Sequence, residues 1–511
     1  MGAYMIVKAK IIQGKYLDSV RLMLISQELR KLQEIKDAVA IVANKENRQI
    51  LADTGMLVPE ISSALETDIV IVIKAADETS AQAALIHAEA LISEPTKSQT
   101  TGMQSYRSIR AAASKRQDLD LCLISVAGKY AAREAAASIS EGLHVMIFSD
   151  NVSMADELRL KQEALAKGLL MMGPDCGTAI INGCPLGFAN HVPAGEIGIV
   201  SASGTGLQEV SVAIAHRGMG ISQAFGTGGR DGKAEIGGLM LSATLDYLIN
   251  DPDTKVILMI AKTPDPEVRE RLWTQIATTA KPVVVNFLKP LKVPKLPNMF
   301  YTHYLDHSAE LACRLVQGFS VESIESDTEE EISTPKIGKN RKYIVGLYSG
   351  GTLCYEAQQL YYETFGQYPP SNTPIDPACI CDDPFHGRSD RFIDLGSDEF
   401  TVGRAHPMID FSLRMKLLEH VSAQPDTAAI LIDVVLGYGS HPDPAGEIVP
   451  ILRSIDPGIL VVCNVLGTES DPQNAIKQVQ ILESARASVF TSHHTAASYA
   501  LRALQSHRRM L

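Results

Sequence analysis

Two short phrases carry the residue types that could hold an anion. Ser203, Gly204, Thr205 and Gly206, with Glu209 beyond them, follow the apolar run EIGIVSA; Gly350, Gly351, Thr352 and Leu353, with Glu356, follow YIVGLYS. Each reads as a strand, a tight glycine turn and a helix start. Amides in the first turn of a helix lack intrahelical acceptors, the helix dipole is positive there, and glycine lets a phosphate approach the main chain. A single copy is read equally well as a steric turn with Ser/Thr capping. The second copy shifts the reading to a phosphate site built from two halves. Glu209 and Glu356 fall in the first turns of their helices and are read first as dipole-favourable caps, with catalysis as the alternative.

Gly226, Thr227, Gly228, Gly229, Arg230 and Asp231 form a second glycine-dense phrase after GISQAF. Such a run favours a nest of N–H donors, and Arg230 adds a planar clamp for carboxylate or phosphate. Its counterpart further on contains Gly403, Arg404 and His406. His406 precedes proline and so is expected in extended or turn backbone. Alone it reads as structural; beside Arg404 it becomes a partner for an anion or a carbonyl. Arg230, Arg404 and His406 are therefore the catalytic candidates. Asp175, Cys176, Asn190, Gly228 and Gly229 are candidates for contacting substrate. A thiolate nucleophile at Cys176 would need a base and exposure that the sequence does not supply.

The elements that must position these residues follow from the patterning. Residues 1–95 alternate apolar runs with helical stretches and form an αβ module, followed by the polar stretch SEPTKSQTTGMQS. Residues 118–192 read as a Rossmann-like block of βαβ units. Residues 193–320 form an α/β block, residues 321–342 an acidic linker, and residues 343–511 a block that repeats the previous one in order (YIVGLYSGGT, AAILIDVV, GILVVCNVLGT). The repetition implies two copies of one flavodoxin-like domain. In open parallel sheets, ligands bind beyond the carboxyl ends of the strands, and every glycine-rich phrase lies at such an end.

Composition bounds the partners. The 511-residue chain is 45% hydrophobic and 21% charged with a net charge of −12, which disfavours nucleic acid and anionic membranes. No apolar run approaches a membrane span or a signal core, so a cytoplasmic location is expected. The eight cysteines lack metal-ligand spacing and read as buried free thiols, with no metal site.

The stretch DLCLISVAGKYAAREAAASISEGLHVMIFSDNV, continued by GLLMMGPDCG, EIGIVSASGTGLQEV and GTGGRD, resembles the α subunit of succinyl-CoA synthetase over roughly residues 119–290. YSGGT and FIDLGS resemble the carboxy-terminal domain of its β subunit, and the whole order resembles the FdrA proteins, predicted acyl-CoA synthetases. The resemblance implies a multidomain α/β chain: a CoA-binding-type Rossmann-like domain and two succinyl-CoA-synthetase-type domains. It also implies an oxamate carbamoyltransferase subunit of allantoin and purine breakdown (oxalurate and phosphate to oxamate and carbamoyl phosphate). The alternatives are a CoA-ligase component and an anion-binding regulatory subunit. Three departures bear on the chemistry. NFLKPLKVPKLPNMFYTHYLDHSAE stands where the synthetase has its Gly-His-Ala-Gly phosphohistidine loop, the ATP-grasp region is missing, and the Gly-rich CoA loop is reduced to QGKYLDSV. Phosphate or carbamoyl phosphate is the expected substrate, CoA belongs to the ligase alternative, and further subunits or a homo-oligomer are the expected partners.

Overall fold

The computed structural model describes residues 5–15, 17, 19–44, 47–48, 51–52, 55–93, 104–319, 337–381, 383–401 and 405–510. The acidic stretch at 320–336 and Arg404 lie outside them. The chain forms two compact units: Met1–Ser105 with Asp398–Asp410, and Tyr106–Ser397 with Phe411–Leu511.

In the first unit, β1 (Ile6–Ile12), β2 (Ile35–Val42) and β3 (Ile69–Ala75) form an antiparallel sheet in the order β1-β3-β2. The sequence IVIVIKA in β3 is apolar almost throughout because both faces of the central strand are covered. Ile69, Ile71 and Ile73 meet Leu22, Leu29 and Leu85 of the helices Ser19–Arg30 and Glu78–Ser93. Val70 and Val72 meet Leu51, Met56 and Ile61 on the opposite face.

The second unit holds three sheets. β4 (Leu121–Ile124), β5 (His144–Ile147) and β6 (Met171–Met172) form a small parallel sheet. Next comes a seven-stranded sheet built on β7 (Thr178–Ile181), β8 (Cys184–Gly187), β9 (Ala194–Ser201), β10 (Ile221–Gly226), β11 (Val256–Ile260), β12 (Val283–Asn286) and β13 (Met299–Thr302). Its order is β13-β12-β11-β9-β10-β7-β8. The third sheet, β15-β14-β16-β17-β18, comprises β14 (Tyr343–Tyr348), β15 (Arg391–Asp394), β16 (Thr427–Val435), β17 (Leu460–Leu466) and β18 (Ser488–Phe490), all parallel.

Strand for strand, β9 to β13 and β14 to β18 have the same order, that of a flavodoxin-like sheet. The chain thus carries two copies of one parallel α/β fold after a small Rossmann-like sheet. One assignment differs from the sequence reading. The hairpin β7–β8, expected with residues 118–192, pairs antiparallel with β10 and extends the next sheet. Its turn is Asn182-Gly183, with φ of 49° and 74°, a tight turn that matches strand twist. No helix among the described residues is long and apolar enough to cross a membrane.

Candidate active site

The structure brings the two glycine turns together. After β9, the Ser203 side chain caps the helix Gly204–His216 by accepting from the Gly206 amide at 3.0 Å. After β14, Gly350 caps the helix Gly351–Phe365 with no side chain to offer. An internal carboxylate instead holds the two amides that precede the helix. Asp433, near the end of β16, accepts from the amides of Ser349 (2.8 Å) and Gly350 (2.9 Å) and is held by Arg414 Nη2 at 2.8 Å. Asp433 and Arg414 are both buried.

The turns touch. Ser203 Oγ and Thr352 Oγ1 share a hydrogen bond. A Cβ added to Gly350 would lie 2.5 Å from Thr205 Cγ2, so glycine is required there by the approach of the other turn. Gly350 has an ordinary φ of −108°. No space for a phosphate remains between Thr205 and Gly350, which corrects the expectation of an ion wedged between the phrases. Gly204 and Gly351, the first residues of the two helices, are partly exposed and mark the rim of this contact, with Asp394 Oδ2 2.5 Å from where a Cβ on Gly351 would stand.

The two glutamates do cap helices, but not their own. Glu209 Oε1 accepts from the amide of His493 at 2.8 Å, at the start of the helix His493–Met510 in the following domain. Glu356 Oε1 accepts from the amide of Leu305 at 2.9 Å, at the start of Leu305–Val316 in the preceding domain. Its other oxygen accepts from His493 Nδ1 at 2.6 Å.

The loops 173–177 and 226–231 lie main chain against main chain. Gly228, at φ 88°, would place a Cβ 2.4 Å from Pro174 O. Gly229 lies beside the exposed Asp175, whose Oδ2 is 3.8 Å from where a Cβ would stand. Cys176 is buried, and its thiol points at Gly226 O, 3.2 Å away; burial pushes that thiol up to about 12. Arg230 pairs with Glu157 at 2.8 Å and donates to Val152 O at 2.8 Å, which fastens the loop to the helix Met154–Ala166. Next to it, Lys161 is fully buried between Glu157 (2.8 Å) and Asp231 (2.7 Å). Asp231 in turn accepts from the Leu241 amide at 2.7 Å, at the start of Leu239–Asn250.

Asn190 donates to Leu436 O (3.1 Å) and to Asp471 Oδ2 (2.8 Å), tying the segment after β8 to the last domain. His406 belongs to the first unit, where its Nδ1 accepts from the Met408 amide at 3.3 Å. It was expected beside a strand end of the last block; segment 398–410 instead groups with residues 1–105. Sequence reasoning missed Asp433, Arg414, Lys161 and His493. A lone Asp inside the apolar strand ILIDVV was the available signal for the first, since a buried carboxylate demands partners.

Three family models match: "AllF, heavy metal-associated domain" at residues 5–108, "CoA binding domain" at 194–288 and "CoA-ligase" at 347–503. The CoA-binding match falls on the β9–β12 block, not on the Rossmann-like block 118–192 to which the sequence reading attached that label. The chain is 39% identical over 493 residues to the uncharacterized protein YahF of Escherichia coli K12, covering 94% of this chain and 95% of that one. It is 27% identical over 187 residues to the ADP-forming succinate–CoA ligase subunit alpha of Methanothermobacter thermautotrophicus, covering 36% of this chain and 61% of that protein. Among solved structures, the dinucleotide-forming acetyl-coenzyme A synthetase 1 of Ca. Korarchaeum cryptofilum aligns at 16% identity with a TM-score of 0.32, over 81% of this chain and 89% of that one.

The first model's description implies a metal, which the residues present do not fit. Residues 5–108 contain no cysteine and one histidine, the exposed His87, whereas soft metals are held chiefly by clustered thiolate, thioether or imidazole donors. No group of three metal-donor side chains occurs among the described residues. With its CoA-binding and CoA-ligase domains in sequence and its near full-length match to YahF, the chain belongs to the FdrA-like acyl-CoA synthetase family.

Proposed function

We propose that the chain is the acyl-transfer component of a CoA-ligase-type enzyme, exchanging an acyl group between phosphate and a thiol. The observation that carries this reading is the contact of the two helix starts at Ser203–Thr352, which aims two positive helix ends at one rim. A phosphate leaving an acyl phosphate gains charge there. Preoriented amides of Gly204, Thr205, Gly351 and Thr352 stabilise that charge without reorganising. The thiolate of CoA attacks the acyl carbon, the bond to the phosphate oxygen breaks, and phosphate departs with the electron pair. CoA enters as a substrate, and nucleotide chemistry falls to another subunit, because no ATP-grasp region separates the β9–β13 and β14–β18 domains.

That missing region favours a second, finer reading: carbamoyl transfer from oxalurate to phosphate, giving oxamate and carbamoyl phosphate. It uses the same phosphate rim and consumes no nucleotide. The experiment is a pair of assays on the purified chain with the products of its neighbouring genes. CoA-dependent phosphate release from acyl phosphates supports the ligase reading, and phosphate-dependent oxalurate cleavage supports the carbamoyl reading. If neither occurs while phosphate still binds, a non-catalytic anion-binding subunit is left. The working location is the cytoplasm, with further subunits or copies of the chain as partners.

A further inference from the structure

The cross-capping glutamates form a buried cluster whose charges do not balance. Glu209, Glu356 and His493 are each at most 3% exposed, and one imidazole stands between two carboxylates. His493 and Glu356 form the pair. Burial disfavours the imidazolium, but the bond to Glu356 and the charges of both glutamates outweigh it and hold the ring above its ordinary value. Burial likewise opposes the Glu356 carboxylate, and the His493 bond and charge with the Leu305 amide outweigh it in the other direction. Glu209 is left over. Among the described residues its Oε1 has only the His493 amide, its Oε2 meets no donor, and no cation pairs with it.

Among the described residues, the other groups around the cluster form no ion pair with Glu209. Tyr348 on β14 lies 3.5 Å from His493 Nε2, and burial holds its phenol well above the ordinary value. Burial lowers His494 below its ordinary value, against the pull of the Glu356 charge. His307 stacks near it, with ring centroids 5.3 Å apart. Asp306 is engaged with Arg217 at 3.0 Å, Asp433 with Arg414, and the Cys354 thiol is pushed up by burial.

We propose that this junction is a proton-controlled interlock: Glu209 holds a proton while the two ligase-type domains are joined and releases it when they part. The device acts on the candidate site because Glu209 and Glu356 lie on the helices that begin at the two turns, about 8 Å along each axis from the rim. It stands whichever acyl acceptor the site uses.

The sign follows from the charges. Burial pushes Glu209 up to about 7 from an ordinary 4.5, so its contribution is full below 4.5 and is lost as the pH rises through 7. His493, also raised, acts in the same direction above 6.5. Glu356, lowered, acts oppositely and only in acid. Between pH 6 and 8 the junction therefore weakens, and the closing equilibrium changes by roughly 10-fold or more.

The test is the thermal midpoint of the full chain from pH 5.5 to 8.5, with Glu209→Gln beside the wild type. Glutamine keeps the acceptor for the His493 amide and cannot titrate. The expected result is a midpoint that falls across pH 6–8 in the wild type and much less in Glu209→Gln; parallel profiles would overturn the interlock. Hydrogen exchange in the wild type gives a reading that needs no variant. Peptides containing the Leu305 and His493 amides should speed up several-fold beyond the intrinsic base-catalysed rise over the same range. A purely intrinsic rise at both helix starts would equally sink the proposal.

Discussion

The carboxylate of Asp433 lies 2.9 Å from the amide of Gly350 and so places a negative charge, from within the protein, behind the second glycine turn. The first turn has no such occupant; Ser203 caps it with a hydroxyl. The two copies therefore present unequal helix starts to their common rim, with the negative charge on one side already compensated by Arg414.

Replacing Asp433 by Asn should be severe. Arg414 is fully buried, and burial already holds its guanidinium below the ordinary value beside Asp433. Removing the counter-charge leaves an unpaired cation in the core, at a cost of about 3–5 kcal/mol. Urea unfolding should show a lower midpoint at unchanged slope. A loss below about 1 kcal/mol would mean that the pair is solvated and does not set the turn.

Gly350→Ala tests the contact between the turns. The new methyl would fall 2.5 Å from Thr205 Cγ2 and 2.9 Å from its Oγ1, so the turns must separate, at about 1–3 kcal/mol. Thr205→Ser deletes the atom that clashes most. In a double-mutant cycle the pair should recover more than about 0.5 kcal/mol of the sum, and strict additivity would show that the two turns do not touch.

What the sequence discloses here is local. A strand, a glycine turn and a helix start need only neighbouring residues, so both phrases were readable, as was the duplication that repeats them in one order. The hairpin turn at Asn182-Gly183 is equally local, but one of its strands, β7, pairs with β10 further along the chain. Glu209 illustrates the limit. Its place near a helix start suggests a cap for that helix, yet the amide it serves belongs to His493 in another domain. Arg230 likewise has the chemistry of a clamp, and only the fold shows that Glu157 is its partner. Long-range partners follow from how the sheets are set beside each other, which periodicity does not encode.

Thiol accessibility gives a direct check on Cys176. With its thiol pushed up to about 12, the thiolate fraction at pH 8 is roughly 10⁻⁴, and the sulfur is buried against Gly226. Cys184, at the start of β8, is exposed. Iodoacetamide at pH 8 should alkylate Cys184 quickly and leave Cys176 intact until the chain unfolds. Mass spectrometry of the two peptides reads the result. Rapid native-state modification of Cys176 would reopen a nucleophilic role.

Lys161 and Arg230 share Glu157, and substituting each in turn separates a structural pair from a ligand clamp. Lys161→Met would leave Glu157 and Asp231, both buried, with little compensation, and Asp231 also caps the helix Leu239–Asn250. The expected loss is about 3–5 kcal/mol. Arg230 keeps 38% of its side chain in solvent, and Glu157 retains Lys161 when it is removed, so Arg230→Ala should cost about 1 kcal/mol or less. Denaturation midpoints give this ordering. Phosphate affinity, measured by calorimetry on the folded variants, supplies the second axis. Unchanged affinity in Arg230→Ala assigns the guanidinium to fastening the loop, whereas a tenfold weakening with stability intact would make it a clamp that exchanges Glu157 for the ligand.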